Sequence, residues 1–145
     1  MKPRLNFHKA SPDAMKAMMT LEQQGVRSTL EKSLIELVRL RVSQMNGCAY
    51  CVDLHSTDAR KAGEDERRLA AVVVWRETAF FDERERAALE WAESVTRVAE
   101  THVPDEVWLH VKPYFTETEM VDLTMVINTI NAWNRLAIAF RKLPV

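Results

Sequence analysis

The sequence contains little glycine, few cysteines and no long apolar run. Its 3 glycines in 145 residues argue against a glycine-rich phosphate loop and against a turn-rich β fold. The formal net charge of −1 gives no overall field to attract nucleic acid or an anionic membrane. No apolar run reaches the length of a transmembrane helix, and residues 1–8 are too polar for the core of a signal peptide. We therefore expect a cytoplasmic protein that binds neither nucleic acid nor membrane.

The remaining composition is that of a globular protein. Hydrophobic residues make up 47% of the chain and charged residues 28%, which supplies enough apolar material for a core. The length fits one domain of ordinary size, and the chain has no internal repeat, low-complexity segment or domain linker. We expect a single domain that spans residues 1–145.

Apolar residues recur at helical spacing along most of the chain, which predicts an all-α fold. Cap residues, prolines and glycines divide this pattern into helices, with Gly25 and Gly63 interpreted as stops. The predicted helical ranges are 12–24, 30–45, 48–62, 65–74, 82–98, 104–111 and 116–141. The 65–74 helix is expected to run into a buried connector near Trp75. Residues 71–75 are the only strand-like run, and a single strand has no partner.

The last predicted helix is apolar almost all round, which is typical of a helix at the centre of a bundle or in a subunit interface. We therefore expect a homo-oligomer. Buried amides on this helix need hydrogen-bond partners, and it carries an asparagine every third residue at Asn128, Asn131 and Asn134. We expect those partners on neighbouring helices or across a subunit contact; the alternative is that one or two amides line the functional pocket. Core or interface packing is also the interpretation for the methionines of the first helix, Met15, Met18 and Met19.

The most informative stretch is the Cys-x-x-Cys-x-x-x-His run that begins at Cys48. Residues three and four apart share a face of a helix, so Cys48, Cys51 and His55 line up over two turns. Alpha carbons three residues apart lie within the range that a disulfide spans, so the thiols can pair and separate without remodelling the backbone. In a cytoplasmic chain, such a pair is more typical of redox chemistry or metal binding than of a structural disulfide.

Two effects favour reactive thiols at this position. Cys48 lies at a helix N-terminus, where free backbone N–H groups and the helix dipole favour a thiolate. The imidazole of His55 follows Cys51 by one turn and can accept or donate its proton. A thiolate beside a second thiol can reduce a peroxide through a sulfenic acid, or can exchange with a disulfide.

Two other interpretations of the same residues remain open. The cysteines could be ordinary buried residues, or Cys48, Cys51 and His55 could be three ligands of a zinc ion with a carboxylate as the fourth. Zinc sites more often use a second pair of cysteines, which a chain with 2 cysteines lacks. The other histidines do not lie at a spacing from the cysteines that is typical of metal ligands; they are His8, His102 and His110. We therefore favour a redox pair that holds no metal.

This arrangement resembles the AhpD-like alkylhydroperoxidase branch of the carboxymuconolactone decarboxylase superfamily. Members of that branch carry a glutamate on one helix and Cys-x-x-Cys-x-x-x-His at the start of the next, and here Glu36 lies twelve residues before Cys48. Residues 34–63 carry the resemblance, which extends more loosely over the rest of the chain. It implies an AhpD-like helical bundle that assembles into trimers or hexamers.

The resemblance also implies a catalytic role for each of four residues. Cys51 would be the thiol that attacks the peroxide and Cys48 the resolving thiol, while Glu36 and His55 would form a proton relay to Cys51. The protein would be a thiol-dependent antioxidant oxidoreductase, either a hydroperoxide peroxidase or a disulfide reductase. Nothing in the sequence resembles a flavin or nicotinamide site, so its electrons would come from a protein or small-thiol reductant without a cofactor. The helix N-terminus instead favours Cys48 as the more acidic thiol, but a relay through His55 can activate Cys51 without a low resting pKa.

One departure from that branch concerns Tyr50. The best-known members have histidine immediately before the second cysteine, and a phenol is a poorer proton relay at neutral pH than an imidazole. We interpret Tyr50 as a half-buried aromatic residue whose hydroxyl reaches water. Redox chemistry at the pair is therefore predicted more firmly than peroxide as its substrate. The decarboxylase branch lacks the cysteine pair, so lactone decarboxylation is not expected.

Glu36 also has a simpler interpretation. Lys32 precedes it by four residues and Arg39 follows it by three, so it could form an ordinary ion pair on a helix surface. The spacing to Cys48 favours the relay, and a partly buried Glu36 is then expected to have a raised pKa that suits proton transfer near neutrality.

A non-catalytic oligomer that senses oxidation for a partner is a further alternative for the whole site.

Overall fold

Helices account for all of the regular structure in the computed structural model, which describes residues 1–145 and contains no β-strand. Two 3₁₀ segments, Val72–Glu77 and Lys112–Tyr114, follow α5 and α8. The nine α-helices are α1 (Phe7–Ala10), α2 (Pro12–Arg27), α3 (Lys32–Asn46), α4 (Ala49–Lys61), α5 (Glu66–Ala71), α6 (Glu83–Thr96), α7 (Val98–Thr101), α8 (Asp105–Val111) and α9 (Glu117–Phe140). None of them combines the length and the apolarity needed to cross a membrane. The predicted all-α fold is confirmed.

Most helix ends lie where the cap residues predict them. Gly47 adopts φ 70° and ends α3, so a residue without a Cβ is needed at this turn. The capping box of α6 pairs Asp82 with Glu85, and Thr116 forms the equivalent box at the start of α9. These stops and caps follow from local chemistry, which explains why the sequence alone locates them.

One local prediction is wrong, and one helix is not predicted. Helix α2 continues through Gly25, because this glycine is buried against α9: an added Cβ would lie 3.0 Å from Cγ2 of Val126. The strand-like run at residues 71–75 forms no strand, as its lack of a partner predicts, and lies at the end of α5 and in the 3₁₀ segment Val72–Glu77, where Trp75 is buried. Helix α1 is not predicted at all, since four residues capped by Asn6 are too few to give a periodic pattern.

Helices α3 and α9 form the centre of the bundle. Helix α9 packs against α2, α3, α4 and α6, as expected for its broad apolar surface. The main core cluster joins side chains of α3, α6 and α9, among them Val38, Leu123 and Ile127. The thiol pair lies against the same helix, because Cys48 and Cys51 pack on Ala137 of α9.

Two asparagines of α9 fix the end of α3 immediately before the thiol pair. The amide Nδ2 of Asn46 donates to Oδ1 of Asn131 and Oδ1 of Asn134, both at 2.9 Å. Asn134 in turn donates through Nδ2 to Oγ of Ser43 at 3.1 Å. The prediction that these amides bond to a neighbouring helix is confirmed for Asn131 and Asn134, whereas Asn128 is exposed. The cluster holds residue 46 two positions before Cys48 and so positions the start of α4.

Candidate active site

The cysteine pair occupies the first turn of α4. Cys48 is the N-cap residue, and Cys51 lies on the same face one turn later. The two sulfurs form a disulfide with their alpha carbons 5.3 Å apart, as the three-residue spacing predicts. Both residues are buried, at 1% and 3% exposure. Because the backbone around the bridge is an ordinary helix start, the pair can open while α4 keeps its shape.

Cys48 also accepts a backbone hydrogen bond. The N–H of Cys51 donates to Sγ of Cys48 at 3.3 Å, which is the position of an N-cap acceptor. In the reduced protein, this N–H group and the positive end of the helix dipole stabilise negative charge on Cys48. The local geometry therefore agrees with the sequence argument that Cys48 is the thiol closest to the helix N-terminus.

Glu36 and His55 meet across the interface between α3 and α4. Oε2 of Glu36 lies 2.9 Å from Nδ1 of His55, and His55 is buried one turn after Cys51. The other oxygen of Glu36 accepts from Nη1 of Arg39 at 2.7 Å. Both interpretations of Glu36 thus describe real contacts, since one carboxylate serves Arg39 and His55 at once. Lys32 takes no part in either ion pair.

The expected pKa shift of Glu36 is wrong in sign. Burial alone would raise the pKa of this carboxyl group, but the hydrogen bond and charge of His55, followed by the charge of Arg39, outweigh burial and lower the pKa. The carboxylate is therefore ionised at neutral pH, and Nδ1 of His55 carries the proton that it accepts. In a neutral ring, the unprotonated nitrogen is then Nε2, which is free to accept a proton from another group.

A buried ionic network extends from Glu36 to a third helix. Arg39, only 8% exposed, also contacts Oε1 of Glu22 on α2 at 2.5 Å. Oε2 of Glu22 accepts a hydrogen bond from the indole Nε1 of Trp133 on α9 at 3.0 Å. The sequence gives no sign of these contacts, because they join residues that lie 17 and 111 positions apart. The network holds the Glu36 carboxylate through Oε1, the oxygen that His55 does not contact.

A cavity of about 240 Å³ opens beside the thiol pair. Cys51 and His55 border it, whereas Cys48 does not. Its apolar wall is formed by Phe7, Met19, Leu54, Ile130, Trp133 and Ala137, and its remaining lining residues are His8, Glu22, Tyr50 and Lys142. Met19, interpreted from the sequence as core or interface, therefore lies at the site, and no asparagine of α9 lines this cavity.

Tyr50 is half-buried, as predicted, and its ring faces a cation. Nζ of Lys142 lies 4.2 Å from the centroid of the Tyr50 ring, which is a cation–π contact. His8 reaches the same cavity from α1, although its sequence position gives no ligand spacing to the cysteines. Both ends of the chain thus contribute side chains that a local motif cannot reveal.

The disulfide form of the pair does not offer the zinc ligands that the sequence leaves open. With Cys48 and Cys51 joined, neither sulfur is a thiolate that could bind zinc. The acidic and histidine ligand atoms that do cluster belong to Glu36, His55 and Asp58, all within 4.8 Å of one another. Both oxygens of Glu36 and Nδ1 of His55 are already hydrogen-bonded. The Glu36 carboxylate is therefore committed to Arg39 and His55.

Comparisons with known proteins agree on one family. The model of the "Carboxymuconolactone decarboxylase family" matches residues 12–94. The "Uncharacterized protein YdfG" of Bacillus subtilis (strain 168) is 42% identical over 139 residues, which cover 96% of this chain and 95% of that protein.

Two solved structures are similar over most of the chain. A protein of unknown function from Agrobacterium tumefaciens, ATU0492, described as a candidate antioxidant defence protein AhpD, is 44% identical with a TM-score of 0.96 over 99% of both chains. An uncharacterised peroxidase-related protein with an alkylhydroperoxidase AhpD core, from Ralstonia eutropha JMP134, is 22% identical with a TM-score of 0.84 over 95% of this chain and 74% of that chain. The second likeness concerns the fold alone.

Proposed function

This chain belongs to the carboxymuconolactone decarboxylase family, in its AhpD-like branch, and on that premise we propose that it is a thiol-dependent oxidoreductase that reduces hydroperoxides. One observation carries the proposal. A disulfide within one helical turn borders an apolar cavity through Cys51, and a carboxylate-bound histidine borders the same cavity. A thiol, a proton acceptor and a substrate space are the parts that two-electron reduction by a dithiol needs.

The first step is attack by Cys51. Nε2 of His55 takes the thiol proton, while Glu36 holds Nδ1–H and balances the charge that forms on the ring. The thiolate attacks the terminal oxygen of the hydroperoxide, so that an S–O bond forms and the O–O bond breaks. The departing alkoxide receives the proton from His55 and leaves as an alcohol, and Cys51 becomes a sulfenic acid.

The second step closes the disulfide. The Cys48 thiolate, stabilised at the helix N-terminus, attacks the sulfur of the sulfenic acid, and hydroxide leaves with a proton as water. A protein or small-thiol reductant then reopens the bridge by two thiol–disulfide exchanges. The proposal assigns attack to Cys51 because this thiol borders the cavity. It places the protein in the cytoplasm, where thiol reductants are kept reduced.

Reduction of small disulfides is the second candidate function, and Tyr50 favours it. This residue makes no hydrogen bond to Glu36 or His55, and its ring contacts Lys142 instead. The relay near Cys51 is then shorter by one group than in relatives with a histidine at this position. A thiol leaving group needs less proton assistance than an alkoxide, so disulfide exchange is affected less.

Titration of the reduced protein with one equivalent of cumene hydroperoxide tests the first function. We expect both thiols of each chain to disappear together with one equivalent of cumyl alcohol, because Cys48 resolves the sulfenic acid of Cys51. Thiol-reactive dye counts the thiols, and chromatography measures the alcohol; a protein without peroxide is the control.

Three other outcomes of this titration separate the alternatives. Loss of both thiols to a model disulfide, but not to hydroperoxide, would support the disulfide reductase. Zinc binding would be favoured if the thiols survive both oxidants and the protein, purified without chelator, contains one zinc ion per chain. Oxidation without repeated turnover in excess dithiothreitol would favour a redox sensor.

We extend the proposal to a homo-oligomer, a trimer or hexamer as the AhpD-like resemblance implies. An apolar groove between α6, α8 and α9 contains Trp108 and Val121, whose exposed fractions are 39% and 63%. We expect sedimentation velocity to give a multimer for the wild type and a smaller species for Val121→Glu. Val73→Glu, which changes a comparably exposed valine outside the groove, is the matched control. A wild-type monomer would contradict this part of the proposal.

A further inference from the structure

The cavity beside Cys51 contains a cation from the end of the chain. Arg141 adopts φ 53° after α9, and the chain turns back so that the N–H of Lys142 donates to the carbonyl of Ala137. This turn places Lys142 on the cavity wall. Its Nζ lies 4.2 Å from the Tyr50 ring centroid and 5.5 Å from that of Phe7, and 3.4 Å from Nε2 of His8.

No carboxylate neutralises this cation. Lys142 belongs to none of the ion pairs of the chain. The one acidic residue of the cavity wall, Glu22, is already bound by Arg39 and Trp133. Partial burial, followed by the charge of Lys142, lowers the pKa of His8, so this ring accepts from the ammonium group without adding charge. Lys142 is therefore the uncompensated charge of the cavity.

The rest of the cavity suits an apolar chain. Met19, Leu54, Ile130 and Trp133 line it together with the reactive sulfur of Cys51. A mostly apolar pocket with one uncompensated charge selects the chemical class of its ligand and orients it. The ligand that complements this wall has a hydrocarbon body and one anionic end.

On the basis of the proposed function, we propose that the cavity binds a fatty-acid hydroperoxide of medium length, with its carboxylate on Lys142 and its hydroperoxide group at Cys51. The chemistry is that of the proposed function. The Cys51 thiolate takes the terminal oxygen, the O–O bond breaks, and the hydroxy fatty acid leaves with one proton. Cys48 then displaces hydroxide as water, so the dithiol gives two electrons and becomes the disulfide, which an external thiol reduces.

Binding of a non-reactive analogue tests the site without any turnover. Isothermal titration calorimetry of the disulfide form with decanoate and with 1-decanol compares the same chain with and without an anionic end. We expect wild-type protein to bind decanoate about tenfold more tightly than decanol, as one partly shielded charge-assisted hydrogen bond provides. Lys142→Met should lose the preference for decanoate and keep its affinity for decanol. Lys142→Arg should retain the preference for decanoate. Lys61→Met, which removes a cation from the exposed end of α4, is the control and should resemble the wild type. Circular dichroism verifies that each variant is folded.

Kinetics on a fatty-acid hydroperoxide and its methyl ester distinguish this inference from the proposed function. We expect Lys142→Met to raise KM about tenfold for the acid alone, with kcat unchanged. The inference is overturned if the wild type binds decanoate and decanol equally well, or if Lys142→Met still prefers decanoate. In either case, turnover of cumene hydroperoxide by the wild type would leave the proposed function intact. Lys142-dependent binding of decanoate in a protein that reduces no hydroperoxide would support the carboxylate site and overturn the peroxidase.

Discussion

Replacing Cys51 by serine is expected to abolish hydroperoxide reduction, with kcat/KM falling about 10³-fold or more, because the alcohol cannot replace the attacking thiolate. Cys48→Ser should instead complete the first step once. One equivalent of alcohol forms per chain, and Cys51 remains a sulfenic acid that mass spectrometry detects after trapping with dimedone. Rapid-mixing measurement of alcohol in both variants separates a single turnover from none.

The two serine variants form a matched pair. Serine is a favoured N-cap residue, so Cys48→Ser keeps an acceptor for the N–H of Cys51 at the start of α4. Cys51→Ser makes the same atomic change one turn later. A loss of activity that differs between them therefore reports the chemistry of each sulfur rather than the fold of α4.

The opposite pattern would support the other assignment of the thiols. Cys48 has the surroundings that better stabilise a thiolate, because it lies at the helix N-terminus and its sulfur accepts a backbone N–H. Cys51, in contrast, borders the cavity, and His55 borders the same cavity one turn later on α4. If Cys51→Ser forms one equivalent of alcohol and Cys48→Ser forms none, acidity rather than access selects the attacking thiol, and the proposed order of the two steps is reversed.

The sequence reveals the parts of this site that depend on local spacing. Cys48, Cys51 and His55 lie on one helix, so the three- and four-residue periodicity brings them together before any tertiary structure is known. Glu36 lies on the preceding helix and is assigned to the site only through its spacing to Cys48 in the AhpD-like pattern, because its local sequence equally fits a surface ion pair. Gly47 makes the turn between α3 and α4. Helix ends at caps and glycines are predictable for the same reason.

The parts that sequence analysis misses depend on long-range packing. Glu22, Trp133 and Lys142 come from α2, α9 and the C-terminal end, and nothing in their local sequence marks them as neighbours of Cys51. The expected pKa of Glu36 is wrong for a related reason. On the sequence alone, an ion pair with Arg39 and a relay with His55 are alternatives, whereas in the folded chain both groups contact the same carboxylate. Gly25 is wrongly predicted as a helix stop because the sequence does not show that it packs against Val126 of α9.

The network around Arg39 makes the relay rigid. Arg39 is held between the carboxylates of Glu22 and Glu36, so rotation of either acid would break an ion pair with a buried guanidinium group. Glu36 therefore presents its second oxygen to His55 in one orientation. This arrangement predicts that Glu36 acts on Cys51 through the position and tautomer of His55, and that its loss affects the rate more than substrate binding.

Replacing Glu36 by glutamine is accordingly expected to lower kcat about 10²-fold, with little change in KM, because the neutral amide no longer balances the charge of a protonated His55. The variant should also differ in acid. The pKa of Glu36 is lowered in the folded chain from the ordinary value of 4.5, so its carboxylate stabilises the fold above that pH, and this stabilisation is lost as pH falls through the folded-state pKa. Urea unfolding should show that Glu36→Gln is less stable than wild type at pH 7, by about 2 kcal/mol as for a hydrogen bond to a charged group, and that the difference shrinks in acid.

Glu77→Gln, which changes an exposed glutamate outside the ionic network, is the control for both measurements. It should leave kcat and the pH dependence of stability at their wild-type values. The decisive comparison is between rate and stability. A Glu36→Gln protein that loses stability at pH 7 but reduces hydroperoxide at the wild-type rate would make Glu36 only an ion-pair partner of Arg39. His55 would then have to accept the proton of Cys51 without a carboxylate behind it, and the relay would consist of the histidine alone.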